Sequence, residues 1–513
     1  MARTGEEYLR DLRSSRRQLW LGGERVDDVA EHPQLAGGAA AMAMLFDIQH
    51  EFPDECLMED PETGDPISTS HMTPRSKDDL VRRRLGMQRV ADATVGMMGR
   101  SPDYVNSCFG GFVGQPEMWS GPDGSNAEGF ENLVAWQKEA RRRDLACTHA
   151  IINPTNDYAT ELLVAGRPAP AHKVAETADS IIVRGGKALA TLAPYSDELT
   201  VWPAQPLFQE GTEPYALSFA IPMDTPGLIL LCRDSVASTS GSPLDRPLSS
   251  RFDEQDAFVI FDDVEVPKQR VFLDGNLAVY NSALTNGFFP NMQQHTTIRG
   301  LTKLQFALGV AARIAETIND ASDATIDMLG ELLCCVELTR SALLLSEEHA
   351  HEYLGGVVFP DNRPLDPMRI MMNQWMPRAI EIIKLIGRHN LLATPSREAF
   401  ADEHLAALIE ETLQPANGTS AQSRVALYRL AWDFAGSALA GRHDLYERFY
   451  IGSARQNRKV LWLSSQGKTG DYAGIGEGFE RRRLQTPVRD RASALVDSML
   501  VDSLQPVASP ATS

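Results

Sequence analysis

The sequence predicts an α+β chain in three parts: a helical region over residues 1–145, a β domain over 146–275 and an antiparallel helical bundle over 276–513. Three observations carry this. Apolar residues recur at three- and four-residue spacing near both ends, over 35–50 and 77–95, and again at Leu301, Leu304, Leu308, Ala311, Ala315 and Ile318. Between them, short β-branched and aromatic runs alternate with Gly, Pro and Asp turn signals. The length of 513 residues suits two or three domains, at roughly 100–200 residues each.

Taken in order, Gly5-Glu-Glu-Tyr-Leu9 opens an amphipathic helix, and Pro102 with Gly110, Gly111 and Gly114 predicts an ordered loop. Residues 180–189 predict two short strands around a Gly185-Gly186 turn. Further strands follow at 215–221 and 227–232. Residues 256–261 and 264–266 then pair as a hairpin about Asp262-Asp263, and Pro267 stops it. Beyond 290, a second stripe at Leu332, Val336 and Leu343 and helical stretches at 367–391, 400–414 and 421–440 predict an antiparallel bundle. Gly441 breaks the last of these, and the Pro/Ser/Ala-rich tail after Leu504 frays.

Charge and cysteine usage exclude several classes. With 49 basic against 69 acidic side chains the net charge is −20, which repels nucleic acid phosphates and anionic membranes. The longest apolar run, 35–48, contains two glycines and falls short of the ~20 residues a bilayer requires. It lies inside the chain, so a buried helix rather than a signal peptide is expected. The triplets at Arg82–Arg84, Arg141–Arg143 and Arg481–Arg483 are expected as solvated or interface charge. Cys56, Cys108, Cys147, Cys232, Cys334 and Cys335 show neither CxxC spacing nor close histidines, so no metal, no disulfide and a cytoplasmic location are expected. GxGxxG, GxxxxGK[ST], HExxH and GxSxG are all missing, so Rossmann dinucleotide binding, P-loop ATP, zinc hydrolysis and serine acyl transfer lack support.

Five polar clusters remain. Met97-Met-Gly-Arg-Ser-Pro-Asp-Tyr104 sets a guanidinium four residues from a phenol, suited to a phenolate or carboxylate, with an Arg100–Asp103 pair as the competing reading. His149, ahead of Asn153-Pro154, can hold or move a proton or simply sit satisfied in a core. Residues 239–254 form a long loop that is either functional or a flexible insertion. In the Asn291-to-Gly300 segment, Thr296 or Thr297 is placed near a helix start, and His295 and Arg299, four apart, share one face if the helix already runs through them; capping and ion pairing compete with catalysis. A helix restart after Gly441, with Arg442 and His443, would offer amides to an anion or cofactor phosphate.

These segments, in order, resemble the oxygenase component of the 4-hydroxyphenylacetate 3-monooxygenase family, which includes chlorophenol and nitrophenol monooxygenases. The matching residues are Thr4-Gly-Glu-Glu-Tyr-Leu9, Gly99-Arg-Ser-Pro-Asp-Tyr104, His149-Ala-Ile-Ile-Asn-Pro154, Gly241-Ser-Pro243 with Pro247-Leu-Ser-Ser-Arg-Phe-Asp-Glu254, and Gly441-Arg-His-Asp-Leu-Tyr-Glu447. The resemblance implies an acyl-CoA dehydrogenase-like fold with a barrel-like central β domain, as a homotetramer built on the bundle. It implies FAD taken up as FADH2 from a separate NAD(P)H:flavin reductase, and oxygen carried to a phenol through a flavin C4a-hydroperoxide. By matched position it assigns Arg100, Tyr104 and His149 to the phenolic oxygen and the flavin, and His295 to a base near the bundle start. It assigns flavin contacts to His149, Ala150, Ile151, Thr155, Asn156, Asp157, Tyr158, Thr191, Gly441, Arg442 and His443. Two rivals stand against it: an acyl-CoA dehydrogenase-like flavoprotein desaturase, which needs a carboxylate over the flavin, and a non-catalytic helical assembly protein, which binds none.

Overall fold

Helix starts are set by side chains that replace missing backbone partners. Thr4 accepts from the Glu7 amide while the Glu7 carboxylate accepts from the Thr4 amide at 2.9 Å, a reciprocal cap that opens the Gly5–Ser14 helix. Ser76 and Asp79 repeat the arrangement at the start of Lys77–Ala93. The computed structural model describes residues 2–154, 169–203, 206–237, 245–286 and 289–465. Among them, the order is a helical region, β-sheet, then long helices at Phe289–Thr317, Asp323–Glu348 and Asn362–Gly387. No helix of the described residues is long and apolar enough to cross a membrane.

The β region is two open sheets, where a barrel-like domain was expected. One runs Glu24–Arg25, Gln18–Leu21, Leu228–Cys232, Asp256–Pro267, Ser180–Thr191, His172–Glu176. The other runs Val271–Asp274, Leu217–Pro222, Glu198–Val201, Cys147–Ala150. The first two strands come from the N-terminal region, and Gln18–Leu21 lies parallel to Leu228–Cys232.

Two expected hairpins are instead one continuous pair. Ser180–Thr191 and Asp256–Pro267 are single twelve-residue strands, antiparallel to each other. Their turn signals face one another: Phe261 pairs with Gly185, Val264 with Val183, and Asp262-Asp263 is the bulge between. Gly185 at φ 111° and Asp263 at φ 52° absorb the distortion. Arg184 clamps Asp263 with two bonds of 2.7 and 2.6 Å.

Three helical expectations are corrected as well. Pro102–Phe112 is a helix with proline in its first turn, and it runs through Gly110 and Gly111. These glycines serve close packing: a Cβ would lie 2.5 Å from the Met72 carbonyl oxygen at Gly110, and 2.2 Å from Asn291 Nδ2 at Gly111. Phe289–Thr317 begins ahead of His295, so Thr296 and Thr297 sit inside it. Ala438–Phe449 runs through Gly441; the break is at Gly436, and Ser437 caps the new helix by accepting from the Ala440 amide.

The arginine triplets are largely engaged. Arg83 is fully buried and donates to Asn291 and Gln294, Arg84 pairs with Glu347, and Arg141 with Asp60. Arg481–Arg483 lie outside the described residues. A second apolar core, around Tyr104, Phe109, Trp136, Trp202 and Phe272, fills the space between the Pro102–Phe112 helix and the four-stranded sheet.

Candidate active site

Arg100 is fixed first through its backbone. The Gly99 and Arg100 amides both donate to Glu254 Oε1, at 2.7 and 2.5 Å. Its guanidinium lies over the Tyr104 and Tyr450 rings, 4.3 and 4.1 Å from their centroids, and donates to the Tyr450 carbonyl at 3.1 Å. The competing Arg100–Asp103 pair is not formed. Burial alone would weaken the cation, but Tyr104, Tyr446, Tyr450 and Glu254 outweigh it and hold Arg100 protonated above its ordinary range.

Tyr104, one turn into the helix that Pro102 starts, brings the other expected residues together. Its ring is 5.3 Å from His149, on the Cys147–Ala150 strand, and 5.3 Å from His295, on the Phe289–Thr317 helix. Trp202 stacks on the far side of His149 at 4.8 Å. His149 is held neutral, first by burial and then by the nearby Arg100 charge. Burial also pushes the Tyr104 hydroxyl up, against the pull of Arg100, so it remains a donor. Ser101 Oγ, Tyr104 Oη, His149 Nδ1 and His295 Nδ1 are buried with no hydrogen-bond partner among the described residues. These four atoms are free to bond a polar ligand placed among them.

The expected flavin contacts divide. Ala150 is buried, Ile151 half-buried and Ile152 exposed, so the strand leads from core to surface. Thr191 Oγ1 donates to Asp256 at 2.7 Å, and its carbonyl accepts from Thr148, next to His149. Thr155, Asn156, Asp157 and Tyr158 lie outside the described residues. Arg442 is committed within the protein: it donates to Asp256 at 2.8 and 3.0 Å and to Glu254 Oε2 at 3.0 Å. His443 is buried and kept neutral by burial and by Lys303, whose Nζ donates to its Nδ1 at 3.0 Å. Lys303 also joins Arg299 on Glu447, each at 2.8 Å. Gly441 is open, with nothing within 4 Å of an added Cβ.

Sequence reasoning missed Tyr450, Trp202 and Lys187. Lys187 is buried and donates to the Ile151 carbonyl at 3.2 Å and to Asn153 Oδ1 at 2.8 Å, pinning the segment that leaves His149. Its only signal was a lysine after Gly-Gly within an apolar run. The 239–254 loop is anchored rather than free where described: the Leu248 and Ser249 amides donate to Asp433, each at 2.8 Å, while residues 238–244 lie outside the described set.

The residues present fit a reduced flavin and a phenol: unsatisfied donors and acceptors, a fixed cation and an aromatic wall converge. Matches to known proteins agree. The 4-hydroxyphenylacetate 3-hydroxylase family matches in its N-terminal part over residues 4–273 and in its C-terminal part over 281–470. A 4-hydroxyphenylacetate 3-monooxygenase oxygenase component of Thermus thermophilus is 37% identical, covering 90% of this chain and 94% of that protein. A 4-nitrophenol 2-monooxygenase oxygenase component of a Rhodococcus species is 33% identical, over 92% and 90%. The solved oxygenase component of 4-hydroxyphenylacetate 3-monooxygenase with FAD and 4-hydroxyphenylacetate is 34% identical and superposes with a TM-score of 0.87, over 97% of this chain and 99% of that one. On its motifs, its fold and these matches, the chain belongs to the 4-hydroxyphenylacetate 3-hydroxylase family and is a flavin-dependent monooxygenase.

Proposed function

We propose that the chain hydroxylates the ring of a phenol whose oxygen sits among Arg100, Tyr104 and His149, with His295 taking the phenolic proton. One observation carries this: Arg100 and Tyr104 from the N-terminal region, His149 from the sheet and His295 from the bundle meet around buried polar atoms that have no partner among the described residues.

Bound as FADH2, the flavin supplies the activated oxygen. The chain supplies the rest. A free phenol has a pKa near ~10, and a cation with a hydrogen-bond donor at its oxygen favours the phenolate, whose ring is the better nucleophile. Arg100 is the cation and Tyr104 Oη the donor. Neutral His149 presents Nδ1 toward the same space without adding charge. Trp202 and Tyr450 close the sides and exclude water, which would otherwise divert the reaction to peroxide. Ala150, Ile151 and Thr191 would hold the flavin from the sheet, and Gly441, Arg442 and His443 from the bundle.

Reduced FAD comes from a separate NAD(P)H:flavin reductase, in keeping with a sequence that has no dinucleotide fingerprint of its own. The assembly is a homotetramer joined through the bundle, where Ile326, Leu333, Leu338, Leu344 and Leu345 expose an apolar surface on one helix. Six free cysteines, two of them adjacent, fit a reducing cytoplasm. Of the carboxylates near this site, Glu254 and Glu447 are held by cations, which leaves neither free for the desaturase reading.

The test supplies chemically reduced FAD and oxygen to the purified chain with a panel of phenols including 4-hydroxyphenylacetate and 4-nitrophenol. Hydroxylated product is expected; stoichiometric peroxide without product from every phenol overturns the reading.

A further inference from the structure

Asp103 has a place that the hydroxylation scheme does not yet use. It is the residue before Tyr104, buried on the Pro102–Phe112 helix, and its Oδ2 lies 3.1 Å from His295 Nε2. Among the described residues, none donates a well-aligned hydrogen bond to either carboxylate oxygen. A buried carboxylate so placed is costly unless an adjacent imidazole or water compensates it. Both are available: the imidazole on one side, and on the other a cavity of about 40 Å³ lined by Asp103, Asn106, Ser70, Gln49 and Asp144. A water needs only about 10–15 Å³ measured this way and a few polar partners.

The imidazole geometry then fixes direction. With Nε2 turned to Asp103, Nδ1 points away from it across the ring, buried and without a partner among the described residues, and the ring lies edge-on to Tyr104 at 5.3 Å. We propose that Asp103 is a positioning residue that holds the Nε2–H tautomer of His295, so that Nδ1 is the atom that receives the phenolic proton. The inference rests on the phenol-hydroxylase reading above. In the step, the phenol O–H bond breaks, its electron pair stays on the phenolate oxygen, and a new N–H bond forms at Nδ1. The resulting imidazolium is stabilised by the Asp103 carboxylate, and the proton leaves with product release. No oxidant is involved in this transfer.

A carboxylate that merely tied two helices would behave differently, and a double-mutant cycle separates the cases. Rates at saturating phenol and KM are measured with reduced FAD and oxygen for Asp103→Asn, Asp103→Glu, His295→Gln and the Asp103→Asn/His295→Gln pair, using the phenol of the panel that wild type turns over fastest. FAD binding and thermal midpoints check folding. Loss of general-base function is expected to lower kcat about 100-fold in Asp103→Asn and in His295→Gln, with KM moving less than about threefold. Asp103→Glu recovers most of the rate, and Asp103→Asn adds nothing once His295 is Gln. Additive losses in the pair, or an unimpaired His295→Gln, overturn the proposal while leaving the hydroxylase reading intact. A wild type that makes no hydroxylated product overturns that reading itself.

Discussion

Glu254 and Arg442, 188 residues apart, meet with Nη1 donating to Oε2 at 3.0 Å, while the other oxygen of Glu254 accepts from the amides of Gly99 and Arg100. One carboxylate thus ties the bundle and the β region to the backbone of the residue proposed to bind the phenolic oxygen. Arg442→Ala strips Glu254 of the only side-chain cation it has among the described residues, whereas Asp256 keeps Arg233 at 2.8 Å. A stability loss of about 3 kcal/mol is expected in urea unfolding, the low end for breaking a buried pair. Glu254→Gln keeps the shape and loses the charge; it is expected to slow hydroxylation with FAD binding retained. An unchanged rate in Glu254→Gln would show that Arg100 needs no such anchor.

Arg100→Ala is expected to abolish product formation while leaving FAD binding within about threefold, as Arg100 is placed on the phenolic oxygen. Arg100→Lys rescues poorly, because an ammonium cannot stack flat between the Tyr104 and Tyr450 rings as the guanidinium does. Substantial product from Arg100→Ala would place the phenolic oxygen elsewhere.

Lys187 makes stability depend on pH. Burial lowers its amine from 10.5 to about 7. Below about 7 it is protonated in both folded and unfolded chains, and the full burial penalty applies. Between about 7 and 10.5 the unfolded chain binds more protons at this site, so its contribution to stability rises with pH. Unfolding free energies of wild type and Lys187→Met, compared on either side of that window, are expected to diverge at low pH in favour of the variant and to converge as pH rises. Parallel profiles would contradict the burial of a charged amine here.

Two glycines in helices have opposite expectations. Gly110→Ala drives a methyl group onto the Met72 carbonyl and costs about 1–3 kcal/mol by overpacking. Gly441→Ala meets nothing in the chain and, inside a helix, stabilises the flavin-free protein by about 0.5–1 kcal/mol. If Gly441 approaches the flavin as proposed, the same variant weakens FAD binding. Thermal midpoints with and without FAD read both effects, and equal FAD affinity would remove Gly441 from the flavin site.

Local chemistry in the sequence determined the alternation of helical and β regions, the caps at Thr4 and Ser76, and most strand positions, since these depend on periodicity and on neighbours a few residues away. The ordered motifs also determined the family. Tertiary structure alone decided what each turn or charge signal was for. Gly185-Gly186 and Asp262-Asp263 have the composition of two turns, yet they face each other as one bulge because their strands pair along their full length. Gly110 and Gly111 look like a loop but permit a helix to touch Met72 and Asn291. Arg442 and His443 have the composition of an anion site at a helix restart, yet buried carboxylates and Lys303 engage them from distant parts of the chain. Arg100, Tyr104, His149 and His295 were legible as candidates by resemblance. Their convergence was not legible from spacing, because it depends on contacts between residues 45 and 191 positions apart, and such contacts leave no local periodicity.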